Sequence, residues 1–185
     1  MDSSIKSVIE FVWEVVKIVV LALVIVFPIR IFLFQPFVIQ GASMEPNFHE
    51  RDYLIVDELS YRFRHPERGE VVVFKYPLDT TKRFIKRIVG LPGETVEIKN
   101  GEIIITDVQN KTFVLKEPYI PAELQAPNMA AYKLSEGQYF VLGDNRPYSF
   151  DSQDWGKLPM RDIIGRVQFR LWPLSDISQI KTPAY

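Results

Sequence analysis

Two residues, Ser43 and Lys86, are the strongest candidates for chemistry in this chain. Ser43 follows Gly41-Ala42 and precedes Met44-Glu45-Pro46, so it lies in a tight turn of small residues. Such a turn exposes a hydroxyl and directs backbone N–H groups toward an oxyanion. A lysine serves as the base of a serine when burial lowers the pKa of its amine, because desolvation disfavours the ammonium form. Taken alone, Ser43 also fits an ordinary turn serine.

Lys86 lies in a short segment, residues 84–89, that is predicted to be a strand. Alternate side chains of a strand share one face, which places Phe84, Lys86 and Ile88 together and Ile85, Arg87 and Val89 on the other side. An aromatic and a β-branched neighbour are an unusual setting for an ammonium group. The alternative is an edge-strand lysine that protects the sheet against aggregation.

The rest of the residue inventory narrows the possible chemistry. The sequence has no cysteine, which excludes disulfides, thiolate catalysis and Cys-ligated zinc. It has two histidines, His49 and His65, too few for a multi-histidine metal site. Either histidine could be the base of a Ser-His-Asp triad, but His65 lies among cations that disfavour a buried catalytic role. The net charge of −1 argues against a nucleic-acid partner, and no cofactor is predicted.

The amino-terminal segment is strongly apolar. Residues 18–29 carry no charge, and the apolar pattern extends over residues 11–34, long enough for the roughly 20 residues of a transmembrane helix. Glu14 and Lys17, three positions apart, can form an ion pair near one membrane interface. The alternatives are a buried soluble helix and a signal peptide, although large residues follow the apolar core where a cleavage site would need small ones. We predict a tail at residues 1–10 and a transmembrane anchor at 11–34.

The remainder, residues 35–185, reads as a β-rich domain. Short apolar segments are bounded by turn residues, and Asn100-Gly101 between two of them is a strong hairpin signal. Prolines at positions 118, 121 and 127 indicate an irregular excursion near residues 107–136. The fold class predicted is mainly β, a folded antiparallel sheet or barrel-like domain with one amino-terminal transmembrane helix. The predicted strands include residues 37–39, 53–56, 71–74, 84–89, 95–99, 102–106, 139–142 and 163–171.

Four segments, in order, resemble the motifs of the type I signal peptidases (leader peptidases), and this resemblance covers nearly the whole chain. The lysine segment and the glycine-aspartate-asparagine-arginine segment are the specific ones. The four are Ser43-Met44-Glu45-Pro46, Arg68-Gly69-Glu70-Val71-Val72-Val73-Phe74, Lys86-Arg87-Ile88-Val89-Gly90-Leu91-Pro92-Gly93-Glu94 and Gly143-Asp144-Asn145-Arg146-Pro147-Tyr148-Ser149-Phe150-Asp151-Ser152.

The resemblance implies a serine endopeptidase with Ser43 as nucleophile, Lys86 as general base and an acyl-enzyme intermediate. It implies that Ser149 hydrogen-bonds and orients the lysine, although Ser149 also fits an ordinary turn serine. Four further residues would hold together the loops around the site. Four others would line shallow pockets for small substrate side chains, although these four equally fit a plain core. The structural residues are Asp144, Asn145, Arg146 and Asp151, and the pocket candidates are Ile39, Met44, Phe84 and Ile85.

The same resemblance implies partners and a location. The substrates would be exported preproteins with signal peptides, and the lipid bilayer would be the second partner. A single-pass protein in a bacterial plasma membrane or a thylakoid membrane is expected, with its catalytic domain on the export side. Two alternatives stay open: another membrane-tethered Ser/Lys processing protease, and a catalytically inactive membrane-tethered β-domain that serves as a binding module.

Three positions depart from the family pattern. Gly41 stands where some members have a serine that completes the oxyanion hole, so a backbone N–H, that of Ser43, would carry more of this work. Asn47 replaces a threonine after Pro46. Gln153 stands where an arginine follows Asp151-Ser152, which puts a salt bridge to Asp151 in doubt.

Overall fold

The computed structural model describes residues 3–32, 34–183 and 185, and it opens with a long helix, α1, over Ser3–Phe32. The helix starts inside the segment predicted as a tail, because residues such as Lys6 and Glu10 extend a helix readily once it is nucleated. Met1, Asp2 and Leu33, which belong to the predicted tail and anchor, lie outside the described residues. Glu14 and Lys17 form the predicted ion pair, at 2.6 Å.

Apolar side chains of α1 are exposed over much of its described length, including Phe11 and Trp13. Within the described part of the chain, no helix meets the combined requirement of length and apolar character for crossing a membrane.

After α1 the chain folds into strands that pair antiparallel throughout the described residues. A mainly β fold with antiparallel sheets is therefore confirmed. A short helix, α2, covers Ser152–Trp155. The strands are β1 (Phe34–Val38), β2 (Tyr53–Asp57), β3 (Val71–Tyr76), β4 (Asp79–Gly90), β5 (Thr95–Lys99), β6 (Glu102–Thr106), β7 (Thr112–Val114), β8 (Met129–Lys133), β9 (Gln138–Leu142), β10 (Leu158–Pro159), β11 (Ile163–Trp172) and β12 (Ser178–Gln179).

The larger sheet has the order β1-β2-β11-β3-β4-β9-β10, with β12 paired to β11. Its centre is built from the β-branched run of β3, which is buried on both faces between β11 and β4. The sequence predicted this strand as a buried one from its composition and its bounding Gly69 and Pro77.

The smaller sheet has the order β7-β6-β5-β8. Its β5–β6 hairpin turns at Asn100 and Gly101, whose φ angles of 51° and 81° are those of the tight turn that this dipeptide favours. The segment predicted as an irregular excursion, residues 107–136, contributes β7 and β8 to this sheet. The rest of this segment, all of which the structure describes, contains no strand, and β8 pairs with β5 across a long sequence separation, with Thr95 opposite Lys133, so the sequence around β8 gives little local signal.

Strand β4 joins the three hydrophobic clusters of the core. Ile85 packs in one cluster with β2 and β3, Ile88 packs in a second with Phe84 against it, and Val89 packs in the third with the smaller sheet. Phe84 and Ile88 therefore share a face and Ile85 takes the other, as the alternation predicted. Lys86 lies between them and is held inside the protein by the packing of its own strand.

Candidate active site

Ser43 and Lys86 meet at the edge of the larger sheet. The Lys86 Nζ atom lies 2.6 Å from Ser43 Oγ, within hydrogen-bond distance. Lys86 is only 4% exposed, whereas Ser43 is half-buried and lines an open cleft. The turn after β1 and the buried half of β4 thus bring a hydroxyl and an amine together where a ligand can reach the hydroxyl.

The surroundings of Lys86 favour its neutral form. Burial lowers the pKa of its amine to about 8, and the carboxylates of Asp151 and Asp144 oppose this effect without cancelling it. The Phe84 ring, on the same face of β4, has its centroid 5.8 Å from Nζ and contributes to the apolar setting. An amine with this pKa can accept a proton from the adjacent hydroxyl at mildly alkaline pH.

The loop after β9 holds the turn that carries Ser43. The backbone N–H of Asn145 donates to the carbonyl oxygen of Ser43 at 3.1 Å, and the Asn145 side chain donates to that of Ala42 at 3.0 Å. The turn also closes on itself, since the N–H of Glu45 donates to Ala42 at 3.2 Å. Two carbonyl groups beside the hydroxyl are thereby fixed, which holds the turn in one conformation.

The backbone around Ser43 offers a donor for an oxyanion. Among the residues that the structure describes, the N–H of Ser43 has no hydrogen-bond acceptor. Gly41 adopts a φ of 86°, and a Cβ built on it would meet nothing within 4 Å. Position 41 therefore borders open space and supplies no side-chain donor, so a donor here must come from the backbone, and the Ser43 N–H is one such group.

Ser149 lies beside this turn but is not bonded to Lys86. Its buried Oγ makes no well-formed hydrogen bond within the described residues, although it lies close enough to the Asp151 carboxylate to lower the pKa of that group. A Cβ on Gly143 would lie 2.2 Å from Ser149 Oγ and 2.4 Å from the Ser43 carbonyl oxygen, so both serines pack directly against Gly143. Only a glycine fits between them. An orienting role for Ser149 remains a prediction.

Asp151 is the buried carboxylate that acts most strongly on Lys86. It accepts hydrogen bonds from the N–H groups of Gly143, at 3.0 Å, and Gln153, at 3.1 Å, and it caps α2. Burial raises its pKa, opposed by these bonds, by the nearby Ser149 hydroxyl and by Lys86. Gln153 thus stabilises the Asp151 carboxylate through its backbone N–H, while its side-chain amide donates a hydrogen bond to the carbonyl oxygen of Pro127.

A buried ion pair between Arg87 and Asp144 lies next to the turn that carries Ser43. Arg87 donates to both oxygens of Asp144, at 2.8 and 2.6 Å, and stacks its guanidinium on the Tyr119 ring at 4.2 Å. Asn47 donates to the same carboxylate at 2.9 Å and to the Tyr119 carbonyl at 3.1 Å. The amide at position 47, one of the departures from the family pattern, therefore bridges the turn that carries Ser43 to this ion pair.

Arg146 links the same loop to the segment that follows β7. Its guanidinium makes two bonds to Glu117, at 2.7 and 2.6 Å, and its Nε donates to the Gly143 carbonyl at 2.9 Å. Sequence reasoning singled out Arg146 but not Glu117 or Arg87. A charged residue within an apolar strand run, such as Arg87, was an available signal for a buried ion pair.

The cleft beside Ser43 has a volume of about 320 Å³. Of the predicted pocket residues, Phe84 and Ile85 line it, whereas Ile39 and Met44 do not: both are fully buried in the core, where the cluster around β2 and β3 needs apolar volume. This packing fits the alternative that Ile39 and Met44 belong to the plain core, and a pocket role for them remains a prediction. The lining residues are Phe37, Val38, Gln40, Ser43, Thr81, Arg83, Phe84, Ile85 and Lys86.

The cleft lies between two strand edges. In the described part of the chain, β1 pairs only with β2, and β4 gains its second partner, β9, only from Arg87 onward. The free edge of β1 and the free edge of β4 before Arg87 both border the cleft. The larger sheet therefore curves so that these two strands face each other without pairing. No group of three or more His, Asp or Glu residues in the described part is arranged to hold a metal ion.

Known proteins share this sequence over most of its length. A family model described as signal peptidase, peptidase S26, matches residues 12–172. The chain is 39% identical over 188 residues to a probable signal peptidase I-1 of Synechocystis sp., covering 97% of this chain and 92% of that protein. It is 41% identical over 156 residues to probable thylakoidal processing peptidase 2, chloroplastic, of Arabidopsis thaliana, covering 80% and 41% respectively. A crystal structure of a signal peptidase I from Enterococcus faecalis V583 has a TM-score of 0.47 and 29% identity, covering 56% of this chain and 97% of that one.

Proposed function

Because this chain belongs to the signal peptidase S26 family, a family of serine endopeptidases, we propose that it removes amino-terminal signal peptides from exported preproteins by a Ser43/Lys86 dyad. The observation that supports the dyad is the 2.6 Å contact between Lys86 Nζ and Ser43 Oγ, with the amine buried. The cut follows small residues, in keeping with the narrow cleft that Phe84 and Ile85 line.

In the proposed reaction, neutral Lys86 takes the proton of Ser43 as Oγ attacks the scissile carbonyl carbon. The oxyanion that forms accepts a hydrogen bond from the Ser43 N–H. The C–N bond then breaks, and the lysine ammonium returns its proton to the departing amine. The acyl-enzyme is an ester between Ser43 and the signal peptide. Lys86, neutral again, takes a proton from the water that hydrolyses this ester, and Ser43 recovers its hydrogen.

The substrate binds as an extended strand between β1 and β4. Two facing strand edges with unpaired backbone groups accept a peptide by main-chain hydrogen bonds, and alternate side chains then fall into pockets. The lining by Phe37, Val38 and Ile85 gives such a peptide apolar contacts on the side of the cleft that leads away from Ser43. A strand inserted there would complete the curved sheet.

Helix α1 is proposed to anchor the protein in the membrane, with the β-rich domain on the export side. Its exposed apolar side chains, including Phe11 and Trp13, would be unfavourable in water over so long a helix and favourable in lipid. The partners are then the bilayer and the preproteins delivered through it.

The decisive experiment is a cleavage assay with the full chain in detergent and a preprotein substrate. Ser43→Ala and Lys86→Ala should each lower kcat by at least about 10⁴-fold, because the two groups act as a unit. The control variants Ser135→Ala and Lys133→Ala, both exposed and distant in the fold, should retain full activity. Cleavage by Ser43→Ala at the wild-type rate would exclude this nucleophile. A wild-type protein that is folded but inactive on all preproteins would favour the binding-module alternative.

A further inference from the structure

A second cleft of about 340 Å³ adjoins the active site and is rich in cations. We call it the basic pocket. Arg83 lines both clefts, so the two share a wall. The basic pocket is lined by Glu58, Lys75, Arg83, Arg161, Asp162, Ile163 and Ile164.

The three cations of the basic pocket form no close ion pair with a residue that the structure describes, although the charge of Arg83 acts on the nearby Glu58. Lys75 and Arg83 lie directly opposite each other on β3 and β4, where like charges about 5 Å apart at Cβ destabilise the pairing. Neither they nor Arg161 makes a hydrogen bond or salt bridge to any residue that the structure describes. Many other arginines of the domain are paired with carboxylates: Arg64, Arg68, Arg87, Arg146, Arg166 and Arg170.

Glu58 is the acid among these cations, and one of its oxygens is buried without a hydrogen bond. Burial raises the pKa of Glu58, and the charges of Arg83 and Arg62 oppose this rise. Glu58 and Asp162 leave the pocket with an excess of positive charge. An oxyanion in the pocket would satisfy the cations, and a protonated Glu58 would donate a hydrogen bond to the same ligand.

The basic pocket lies at the end of the larger sheet that faces α1. In the antiparallel order, β1 starts at this end, where the chain leaves α1, and β3 ends and β4 starts there. The β3–β4 turn carries Leu78, which is 74% exposed. Unpaired cations beside an exposed apolar side chain are the composition that binds an anionic membrane surface.

We propose that the basic pocket binds the phosphate of an anionic phospholipid headgroup and thereby holds the catalytic domain against the membrane. The lipid is favoured over free phosphate by the position of the pocket at the α1 end of the sheet and by Leu78 beside it. This proposal rests on the membrane anchoring proposed above, and it does not require the Ser43/Lys86 chemistry.

The test is lipid binding to the full chain in neutral detergent micelles, measured by native mass spectrometry with phosphatidylglycerol, phosphatidylcholine and inorganic phosphate as probes. Phosphatidylglycerol should bind at least about tenfold more tightly than phosphatidylcholine, whose choline the cations repel. The double variant Lys75→Gln/Arg161→Gln should weaken phosphatidylglycerol binding by more than tenfold, since each cation is worth about fivefold.

The matched control, Lys99→Gln/Lys133→Gln, removes two exposed lysines from the smaller sheet and should leave lipid binding unchanged. Equal weakening by both double variants, or no preference for phosphatidylglycerol, would overturn the proposal. Inorganic phosphate that binds as tightly as the lipid would also overturn it. Ser43→Ala should bind lipid normally, so a failed cleavage assay and a failed lipid site are distinguishable.

Discussion

At the scale of single residues, the site depends on how two carboxylates act on one buried amine. Burial lowers the pKa of Lys86 to about 8, whereas Asp151 and Asp144 raise it from the lower value that burial alone would give. With this pKa, about a tenth of the amine is neutral at pH 7 and most of it is neutral above pH 9. The supply of neutral Lys86 therefore rises tenfold across that range.

The pH dependence of cleavage should follow the neutral fraction of Lys86. We expect kcat/KM to increase with pH and to level off above an apparent pKa of about 8, because this parameter reports the free enzyme. Asp151→Asn removes one of the negative charges that stabilise the ammonium, so the profile should move to lower pH by about half a unit or more. Initial rates on a soluble peptide at low substrate concentration, from pH 6 to 10, measure both profiles.

Asp154→Asn is the control for this shift. Asp154 belongs to the same α2 cap and accepts a hydrogen bond from the Asp151 N–H, but it is not among the charges that shift the pKa of Lys86. Its profile should coincide with that of the wild type. A flat profile between pH 7 and 9, or equal shifts in both variants, would contradict a base role for a buried Lys86.

The sequence allowed some of these residues to be predicted and not others. Ser43 and Lys86 lie in motifs, and strand alternation gave the lysine an apolar face. The action of Asp151 on Lys86 could not be predicted, because it depends on a capping turn that folds back under the sheet. Asn47 departs from the family pattern, and only its contacts to Asp144 and Tyr119 show what it does.

At the scale of elements, β4 gives the cleft its shape. The strand places Lys86 on one face and Ile85 on the other, and the edge between them is free as far as Arg87. Ile85 is 5% exposed and lines the cleft, so it fills space that a larger substrate side chain would need. Ile85 therefore limits the size of the substrate side chain that can bind beside the free edge of β4.

Ile85→Ala should relax the size preference at the cleavage site. The variant removes three carbon atoms from the wall of the cleft, and even one methylene in an apolar pocket is worth about 10- to 200-fold in discrimination between substrates. We expect the ratio of kcat/KM for a substrate with alanine before the cut to one with valine to fall by at least about tenfold. Paired peptides that differ only at that residue provide the measurement.

Val89→Ala serves as the matched control, because Val89 is buried in the same strand but packs in the cluster shared with the smaller sheet. This variant should lose thermal stability by about the cost of a small core cavity and keep the wild-type preference. If Val89→Ala relaxes the preference as much as Ile85→Ala, a general loosening of the fold explains both effects, and the cleft assignment fails.

The elements differ in how well local sequence determined them. The β5–β6 hairpin was predictable because Asn100-Gly101 specifies its own turn. The β5–β8 pairing was not, since it joins residues far apart through a proline-rich segment with little periodicity. Ile39 and Met44, pocket candidates that equally fitted a plain core, pack with Ile85 in the cluster around β2 and β3, a contact that local sequence could not specify.

At the scale of the whole molecule, carboxylates at the ends of strands link the larger sheet together. Glu70, just before β3, accepts hydrogen bonds from Tyr61 at 2.9 Å and from Arg64, and it forms an ion pair with Arg166 of β11 at 3.5 Å. Burial alone would raise the pKa of Glu70, but the bonds from Arg64, Glu67 N–H and Tyr61 outweigh it and lower the pKa. A lowered pKa stabilises the folded state above the unfolded pKa, and the stabilisation is lost as the pH falls through the folded value.

Glu70→Gln should therefore reduce the Tm most at neutral pH and progressively less in acid. At pH 7 the lost charge-assisted bonds should cost about 1–3 kcal/mol, or roughly 2–10 °C in Tm for a chain of this length. The difference in Tm between wild type and variant should narrow as the pH falls below the unfolded pKa of a glutamate, about 4.3, and through the lowered pKa of folded Glu70, where the wild-type carboxylate becomes protonated. Thermal melts of the full chain in detergent measure it, with Glu136→Gln, an exposed glutamate, as the control that should show no pH-dependent difference. A difference that stays constant across this range would mean that Glu70 stabilises the fold by packing and not by its charge.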